Sequence, residues 1–599
     1  MSANGVVALL IHLNSRSPKL LSFPITTKYG KIGALFVILT IIQLTGCVSD
    51  EVDEQNILTS YQQRLSNQGP QLRADTEGQD LQNPLGLLKP TPDSNGIPSE
   101  IEVATDPNTG RKIVDLTIEQ AIVRTLANSP EIRIVSFDPS IARQDITKAA
   151  GEFDVIAFGS TNFEQDDNPI NSIYQSGQSD VRLLESGVKQ KSITGSEWSL
   201  SYALTRNWDD LAGRTLSTRY EPILAFQIKQ PLLRDAWQQT NLAGVNIARL
   251  NHKIAVLGFR QKAEDVSTEI ISAYWRLLQA RRDFDILQEL LQRTLETLKK
   301  VMGRKEIDAT DVQIKQMEAS VKTREAILLQ AGKSVIDAQD ALVRLMADPQ
   351  MSMLDELEIV PSTTPYMTAK DFEPSEILGV ALKKNPIMQQ VRVEVAIADI
   401  NIRVAKNQKM PRLDLVASSR IQGLDKSQGR AYDRLNTGDY ASYAVGLSLE
   451  FPLGNRQREA ELLKRRLERR KVISNLQNIA DQVVLQAKEK IRTVETNFAE
   501  IKIQEDAAQA AKMHLQAVED SEPVRERLTP EFLLVKLQAQ GALADAQRAE
   551  IKAIADFNIA LAQLAQTMGT VLELHQVSTV LPAIAEGEET TVQTDEYTQ

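Results

Sequence analysis

Long stretches of the chain repeat apolar residues at alternating spacings of three and four, the pattern of a helix with one apolar stripe. The clearest stretch runs from Ala263 to Leu291 over four heptads, and Glu, Lys, Arg and Gln fill most other positions. The spacing then changes to 291, 295, 298 and 302, a stutter that straightens a left-handed supercoil. The helix predicted from Asn241 to Met302 has 62 residues, a length of about 93 Å. A compact globule does not accommodate such a helix.

Five other segments predict β-strands, because β-branched and aromatic residues partly alternate with polar ones. They are 153–163, 198–204, 223–229, 413–421 and 443–451. In the first half a hairpin of 181–190 with 197–206, turning at Gly195, would add further strands. Such alternation fits a strand that faces lipid as well as one that faces a protein core. Trp198, Trp208 and Trp237 in or beside these segments fit an interfacial girdle or ordinary core aromatics equally.

The chain contains an internal duplication. The segment Leu116 to Pro130 aligns with Phe372 to Pro386, with apolar residues at the same helical positions, and a proline ends each segment. Later, Thr310 to Met346 parallels Pro530 to Gln566. Each half therefore predicts a helix, strands, a long helix and a second long helix, in that order.

Composition excludes several classes of function. The length of 599 residues exceeds what one core organises, and 68 basic against 79 acidic residues leave a net charge of −11, with the two signs interleaved. This balance disfavours a nucleic-acid binder. A single cysteine excludes an intrachain disulfide, and the four histidines have no metal-ligand spacing. Phosphate loops and nucleophile motifs are also missing from the sequence, so we expect neither an enzyme nor a cofactor.

The N-terminal region predicts export. The apolar run from Ile32 to Ile42 is too short to span a bilayer, but after Lys28 and Lys31 it matches the core of a signal peptide. The sequence Leu-Thr-Gly-Cys that ends at Cys47 resembles a bacterial lipobox, in which the cysteine becomes an acylated N-terminus; an ordinary signal peptide with an incidental cysteine is the alternative.

We expect six regions along the chain. They are a signal peptide or N-terminal extension over 1–46, a lipid-anchored tether over 47–112, a first repeat over 113–350, an equatorial connection over 351–370, a second repeat over 371–570 and a C-terminal segment with an acidic tail over 571–599.

Topology limits how the strands can be used. Because helices of one coiled-coil body bracket the strands in each half, the chain leaves and re-enters that body an even number of times. Two crossings per half give four strands per chain, or six if the hairpin is added. Four strands cannot close a barrel, and an open edge is too costly in lipid. With four strands per chain, two chains would make a filled barrel of eight strands, whereas three would make one of twelve with a lumen.

The duplicated plan, the Asn/Ser-Pro segment that opens each half and the Gln-Pro-Leu-Leu before a long helix together resemble the TolC-type outer-membrane efflux family, in its lipoprotein subgroup. The resemblance covers Leu116 to Gln576. It implies a mainly α fold with a membrane β-barrel: a homotrimer in the outer membrane that closes a 12-strand barrel continuous with a periplasmic coiled-coil tunnel. The implied function is the passive exit duct of a tripartite efflux or type I secretion system, with a periplasmic adaptor and an inner-membrane transporter as partners.

A lipid-anchored coiled-coil scaffold without a pore is the alternative function. Within the channel interpretation, the sequence leaves open whether the cargo is a drug, a metal or a protein.

The resemblance also assigns residues at the tip, where the helices reverse at 303–309 and 521–529. It implies a gate of Asp311 with Arg527, an acidic ring at Glu531, and an altered second tip bond because Glu522 replaces a tyrosine. The charged residues that would contact an adaptor are Arg304, Lys305, Glu306, Arg525 and Glu526. Two simpler interpretations remain open. The tip is an ordinary solvated loop, and Asp311 and Glu531 are acids in first helical turns, where the helix dipole stabilises negative charge.

Overall fold

The computed structural model describes residues 103–105, 112–172, 174–211, 213–306, 309–351, 357–367, 373–523 and 529–575. The predicted signal peptide, Cys47, most of the tether, the acidic tail and the tip residues Arg525, Glu526 and Arg527 lie outside these ranges. No helix within the described ranges is both long and apolar enough to cross a membrane.

Helices make up most of the described residues. They are α1 Ile118–Asn128, α2 Pro130–Ala150, α3 Gln238–Asn241, α4 Ala243–Gly303, α5 Asp311–Met346, α6 Pro374–Lys384, α7 Pro386–Gln408, α8 Gln428–Thr437, α9 Arg456–Ser521, α10 Pro530–Met568 and α11 Val571–Leu574. The two longest, α4 and α9, have 61 and 66 residues. At 1.5 Å per residue they are about 90 and 100 Å long, which confirms the long helices expected from the apolar stripes.

Two helices, not one, precede the strands of each repeat. Pro130 and Pro386 were expected to end a helix, but each stands at the first position of a second helix. Proline suits that position because its φ is already helical and the missing N–H would have no intrahelical partner. Asn385 adds a cap, accepting hydrogen bonds from the backbone N–H groups of Ile387 and Met388.

Nine strands form two sheets in the described part of the chain. They are β1 Val103–Thr105, β2 Lys112–Leu116, β3 Ile156–Asp167, β4 Gln178–Lys191, β5 Glu197–Asp209, β6 Thr218–Pro231, β7 Leu357–Pro361, β8 Arg412–Gln422 and β9 Ala441–Glu450. A small sheet has the order β1-β2-β7, with β2 parallel to β7. The large sheet is antiparallel throughout, in the order β3-β4-β5-β6-β8-β9.

The large sheet has the higher of the two strand counts expected from the sequence. The hairpin around Gly195 is confirmed as β4 and β5, which pair from Lys191 with Glu197 to Ser179 with Asp209. The twelve-strand barrel assumed four strands per chain, and a single chain does not test it.

The helices that adjoin the large sheet lie in the same order as the strands to which they are connected. Helix α2 leads into β3, α4 follows β6, α7 leads into β8 and α9 follows β9. In the same order α2 packs against α4, α4 against α7 and α7 against α9. The layer of four helices therefore has α2 and α9 at its margins, next to the edge strands β3 and β9.

The core of α4 follows the predicted stripe only in part. Ala263, Val266, Ile270 and Leu277 are buried as expected. Beyond Leu287 the buried positions are 290, 291, 294, 297 and 301, whereas Met302 is 53% exposed. The stripe predicted at 295 and 302 is wrong because Thr294 and Thr297 are buried, with hydroxyls that donate to carbonyls of their own helix.

Candidate gating and docking site

At both helix reversals of the tip, the second helix begins with a side-chain cap. Helix α4 ends at Gly303, and Thr310 begins α5 with a capping box, in which its side chain and that of Gln313 each accept from the other's backbone N–H. In the second repeat α9 ends at Ser521, and Thr529 caps α10 by accepting from the N–H of Phe532. The caps satisfy backbone donors that would otherwise lack partners.

Asp311 lies where the resemblance expects one half of the gate. It is in the first turn of α5, its side chain is 82% exposed, and its Oδ1 lies 3.3 Å from Nζ of Lys305 across the turn. Such an exposed pair contributes between 0 and about 1 kcal/mol. Because Arg527 lies outside the described residues, the Asp311–Arg527 gate stays a prediction.

The other predicted tip residues lie at or near the surface or outside the described residues. Lys305 and Glu306 are exposed in the turn after α4, and Arg304 beside them is half-buried. Glu531 is exposed in the first turn of α10. It borders an open groove between the end of α9 and the start of α10, whose other walls are Ala517, Val518, Ser521, Thr529, Phe532 and Val535.

Sequence reasoning missed an ion pair inside the tip. Lys536 on α10 donates to the carboxylate of Glu522, which follows α9, and only 3% of the lysine side chain is exposed. Nζ of Lys300, at the end of α4, lies 4.0 Å from the same carboxylate. Glu522, expected only to alter a tip bond, is therefore the acceptor of a charge pair within its own chain.

A second missed feature is a buried polar layer centred on Arg324 of α5. Its guanidinium donates to the hydroxyl of Thr294 on α4, to Oε1 of Gln540 at 3.1 Å and to the carbonyl of Leu537 at 2.9 Å. Nε2 of Gln540 in turn donates to the hydroxyl of Thr297 at 3.2 Å. Burial lowers the pKa of Arg324 from its usual value, but the group stays charged at neutral pH. The layer joins α4 and α5 of the first repeat to α10 of the second.

Apolar contacts on the tip side of this layer join the same three helices. Val301 of α4, Ile314 and Met317 of α5, and Leu533 and Leu537 of α10 form one buried cluster. Polar and apolar contacts therefore both hold α10 against the first helix pair within a single chain.

The sequence did carry a signal for the polar layer. Lys536 and Gln540 follow Phe532, Leu533 and Leu537 at helical spacing, so they are polar residues on an apolar face. Polar groups on such a face are buried only when they have hydrogen-bonding or ionic partners. Polar residues that interrupt an apolar stripe are therefore the sequence signal of a buried polar contact. The described residues bring no three His, Cys, Asp or Glu together as a metal site.

Comparisons with known proteins agree with this architecture. Residues 377–570 match the family model of the outer membrane efflux protein. Among solved structures, the outer membrane protein VceC of Vibrio cholerae is 17% identical at a TM-score of 0.53, covering 76% of this chain and 96% of VceC. The Neisseria gonorrhoeae MtrE outer membrane channel, in its open state, is 15% identical at 0.53, covering 76% and 89%.

A third solved structure, the Campylobacter jejuni CmeC outer membrane channel, is 12% identical at a TM-score of 0.52, covering 84% of this chain and 94% of CmeC. No curated protein sequence matches significantly. These identities establish a shared fold, whereas the family match identifies the second repeat. Residues 377–570 therefore match the outer membrane efflux protein family, and the fold of the described chain is similar to that of solved outer membrane channels.

Proposed function

We propose that the chain is the outer-membrane exit duct of a tripartite efflux or secretion system. It passively conducts cargo that an inner-membrane transporter delivers, and a periplasmic adaptor docks at its helix tip. The observation that carries this proposal is the large sheet, which has one face that is mainly apolar on β5, β6, β8 and β9 and is continued by a layer of long polar helices. The match of residues 377–570 to the outer membrane efflux protein family supports the efflux role.

Assembly follows from the two free edges of the sheet. Neither β3 nor β9 has a partner on its outer side in the described chain, and lipid does not tolerate open edges. Because the antiparallel sheet has an even number of strands, β9 of one copy runs antiparallel to β3 of the next, as pairing requires. We expect copies, three by the family resemblance, to close a ring in this way.

The marginal helices carry matching apolar surfaces. On α2, Ile134, Phe137 and Ile141 are exposed at helical spacing, and on α9 Leu463 and Leu467 are exposed. These residues lie within a few turns of β3 and β9. They are therefore positioned to continue the contact between copies below the membrane.

The proposed gate is the tip. Asp311 would bind Arg527 at the closed end, and Glu531 of each copy would form an acidic ring that weakly favours cations. Replacing Arg527 by Ala should raise single-channel conductance in planar bilayers, with Arg525→Ala as the matched control. Unchanged conductance in the Arg527 variant would exclude the gate.

The docking surface comprises Arg304, Lys305, Glu306, Arg525 and Glu526. Charge reversal of Lys305 and Glu306 together should weaken capture of the co-purifying adaptor from crosslinked cells. If capture is retained, these residues form an ordinary solvated turn and do not contact the adaptor.

The lipid anchor at Cys47 remains a separate proposal. Metabolic labelling with a fatty-acid analogue should mark the wild-type chain and not a Cys47→Ser variant. If neither chain is labelled, the cysteine is incidental to an ordinary signal peptide.

The channel itself is tested by reconstitution. Detergent-extracted protein should run as a heat-resistant oligomer and conduct ions in planar bilayers. A monomer or dimer without conductance would instead support the poreless coiled-coil scaffold.

A further inference from the structure

We propose that the β4–β5 hairpin lies in the wall of the barrel, so that each copy contributes six strands and three copies close an eighteen-strand barrel rather than one of twelve. This inference rests on the proposed function, since it assumes a membrane barrel shared among copies. The relevant observations concern the ladder, the faces and the ends of the hairpin.

The hairpin is fully incorporated in the sheet. Strand β4 pairs with β3 without a break from Ile156 with Lys189 to Asp167 with Gln178, and β5 pairs with β6 from Glu197 with Lys229 to Trp208 with Thr218. The strands have 14 and 13 residues, more than the roughly 10 that a tilted strand needs to cross a bilayer. If the hairpin lay outside the wall, both of these ladders would be lost, and β3 and β6 would each need a new partner.

The apolar face of the hairpin is in phase with that of its neighbours. Residues directly opposite in an antiparallel pair lie on one face of the sheet. Through Leu184 with Leu204, Tyr202 with Leu224, and Leu415 with Leu447, the ladders place most large apolar residues of β5, β6, β8 and β9 on one side. Strand β4 adds Leu184 and Val188 to this side, whereas its Val181 and Leu183 lie on the other. The opposite face is mostly polar; on β5 it presents Ser199, Ser201, Thr205 and Asn207.

Tryptophans mark both ends of this face within the hairpin itself. Trp198 and Trp208 occupy the apolar side of β5 ten residues apart. That spacing is about 33 Å along the strand, or about 25 Å across a membrane at a tilt near 40°, the height of the apolar band between the aromatic girdles of outer-membrane barrels. The hairpin thus carries the membrane signature by itself.

The connections at the two ends of the hairpin also differ as they do in outer-membrane barrels, which have short periplasmic turns and longer outer loops. The turn 192–196 lies at the helix end of the sheet, whereas residues 168–177 and 210–217 form longer connections at the far end. The short turn is tied to the start of the helical layer, because N–H of Trp237 donates to the carbonyl of Thr194 at 3.0 Å. Gly195 has φ +87°, and a Cβ there would lie 2.2 Å from the carbonyl oxygen of Asp235.

The hairpin has the geometry of a two-strand insert. If residues 178–217 were removed, β3 would lead directly into β6, which runs antiparallel to it. Pairing Asp167 with Thr218 would then set Thr161 opposite Leu224 and Gly159 opposite Phe226, so the faces would remain in phase. A four-strand version of the chain therefore keeps the strand directions and the faces of the sheet, and the hairpin changes the strand number.

The consequence is a wider barrel. Diameter grows roughly linearly with strand number, and barrels of 16 to 18 strands already enclose an aqueous channel. At equal tilt the eighteen-strand barrel is about half again as wide as one of twelve. In such a channel the tip, and not the barrel, limits the size of the cargo.

Electron cryomicroscopy of the full chain in lipid nanodiscs provides the direct test. The expected result is a closed barrel of eighteen strands with three copies, in which β9 of one copy pairs with β3 of the next. A closed barrel of twelve strands would overturn the inference, whether made by two copies or by three with the hairpin outside the wall. Absence of any closed barrel would instead refute the proposed function.

A deletion of residues 178–217 adds a functional readout. The largest polyethylene glycol that enters from the barrel side in planar bilayers should fall in diameter by about one third. Deleting residues 211–216, which shortens a far-end loop without removing a strand, is the matched control and should leave the cutoff unchanged. A cutoff that is equal in all three proteins would contradict a wall position for the hairpin.

Discussion

Helices α4 and α9 have equivalent positions in their repeats, but their surroundings differ. Each follows the last strand of its repeat, and each has more than 60 residues. Helix α4 packs against α1, α2, α5, α7 and α10, and it buries the adjacent aromatic residues Tyr274 and Trp275. Helix α9 packs against α6, α7 and α10 and leaves Leu463, Leu485 and Ile503 exposed.

The difference follows from the order of the helical layer. Because α4 lies inside the layer and α9 at its margin, the two long helices bury different amounts of surface. The apolar residues that α9 exposes indicate where a further copy packs, since isolated soluble helices rarely keep several large apolar residues on one outer face. Four predictions test this contrast, from the largest expected effect on chain stability to the smallest.

Replacing Trp275 by Ala should destabilise the chain by about 3–5 kcal/mol, because the indole is 2% exposed and its removal leaves a cavity. Leu485→Ala on α9, where the side chain is 63% exposed, should cost less than about 0.5 kcal/mol. Urea unfolding followed by circular dichroism of dissociated chains measures both. Equal losses at the two positions would end the distinction between inner and marginal helices.

The buried carboxyl of Glu264 on α4 should make stability depend on pH. Burial raises its pKa to about 7 despite Arg260 beside it, whereas the unfolded value is near 4.5. The folded state therefore binds the extra proton, and the free energy of unfolding falls by up to about 3 kcal/mol as pH rises from 4.5 through 7. The urea midpoint across this range measures the effect.

Glu264→Gln should remove that fall, because the side chain then has no proton to lose. Glu269→Gln, at an exposed position of the same helix, should retain it. A slope that survives in the Glu264 variant assigns the dependence to another group.

Lys536→Met should destabilise the tip by about 2 kcal/mol, because Glu522 would keep a largely buried charge without its main partner. Adding Glu522→Gln should recover much of that loss. Lys300→Met is the control, since that lysine is mostly exposed and 4.0 Å from the carboxylate. Hydrogen exchange at the start of α10 measures the opening, and no recovery in the double variant would show that Lys536 acts through packing alone.

Leu463→Glu on α9 should change the fold of a single chain by less than about 0.5 kcal/mol but abolish the oligomer, because a charge would enter the apolar contact between copies. Leu463→Met keeps the contact apolar and should preserve the oligomer. Analytical ultracentrifugation in detergent distinguishes them. An intact oligomer with glutamate at this position would exclude this face from the interface.

Much of the fold was predictable from local pattern. The stripe from Ala263 to Leu277 and the alternation in 223–229 or 443–451 depend on which residues lie on one face of a helix or strand, and that periodicity is visible in sequence. The duplication and the hairpin at Gly195 were found in the same way. Less was predictable at the tip, because the positions of Thr294, Arg324 and Gln540 depend on three helices that meet only after folding.

The sequence by itself determined the long helices, the strands, the repeated plan and the absence of a nucleic-acid or disulfide signature, since these depend on residue type and spacing along one segment. Tertiary structure alone decided that all six strands join one sheet, that α4 is central and α9 marginal, and that Lys536 pairs with Glu522. Such relations join residues far apart in the chain. They arise because each apolar face and each buried charge must find a partner, and several partners are compatible with the same local pattern.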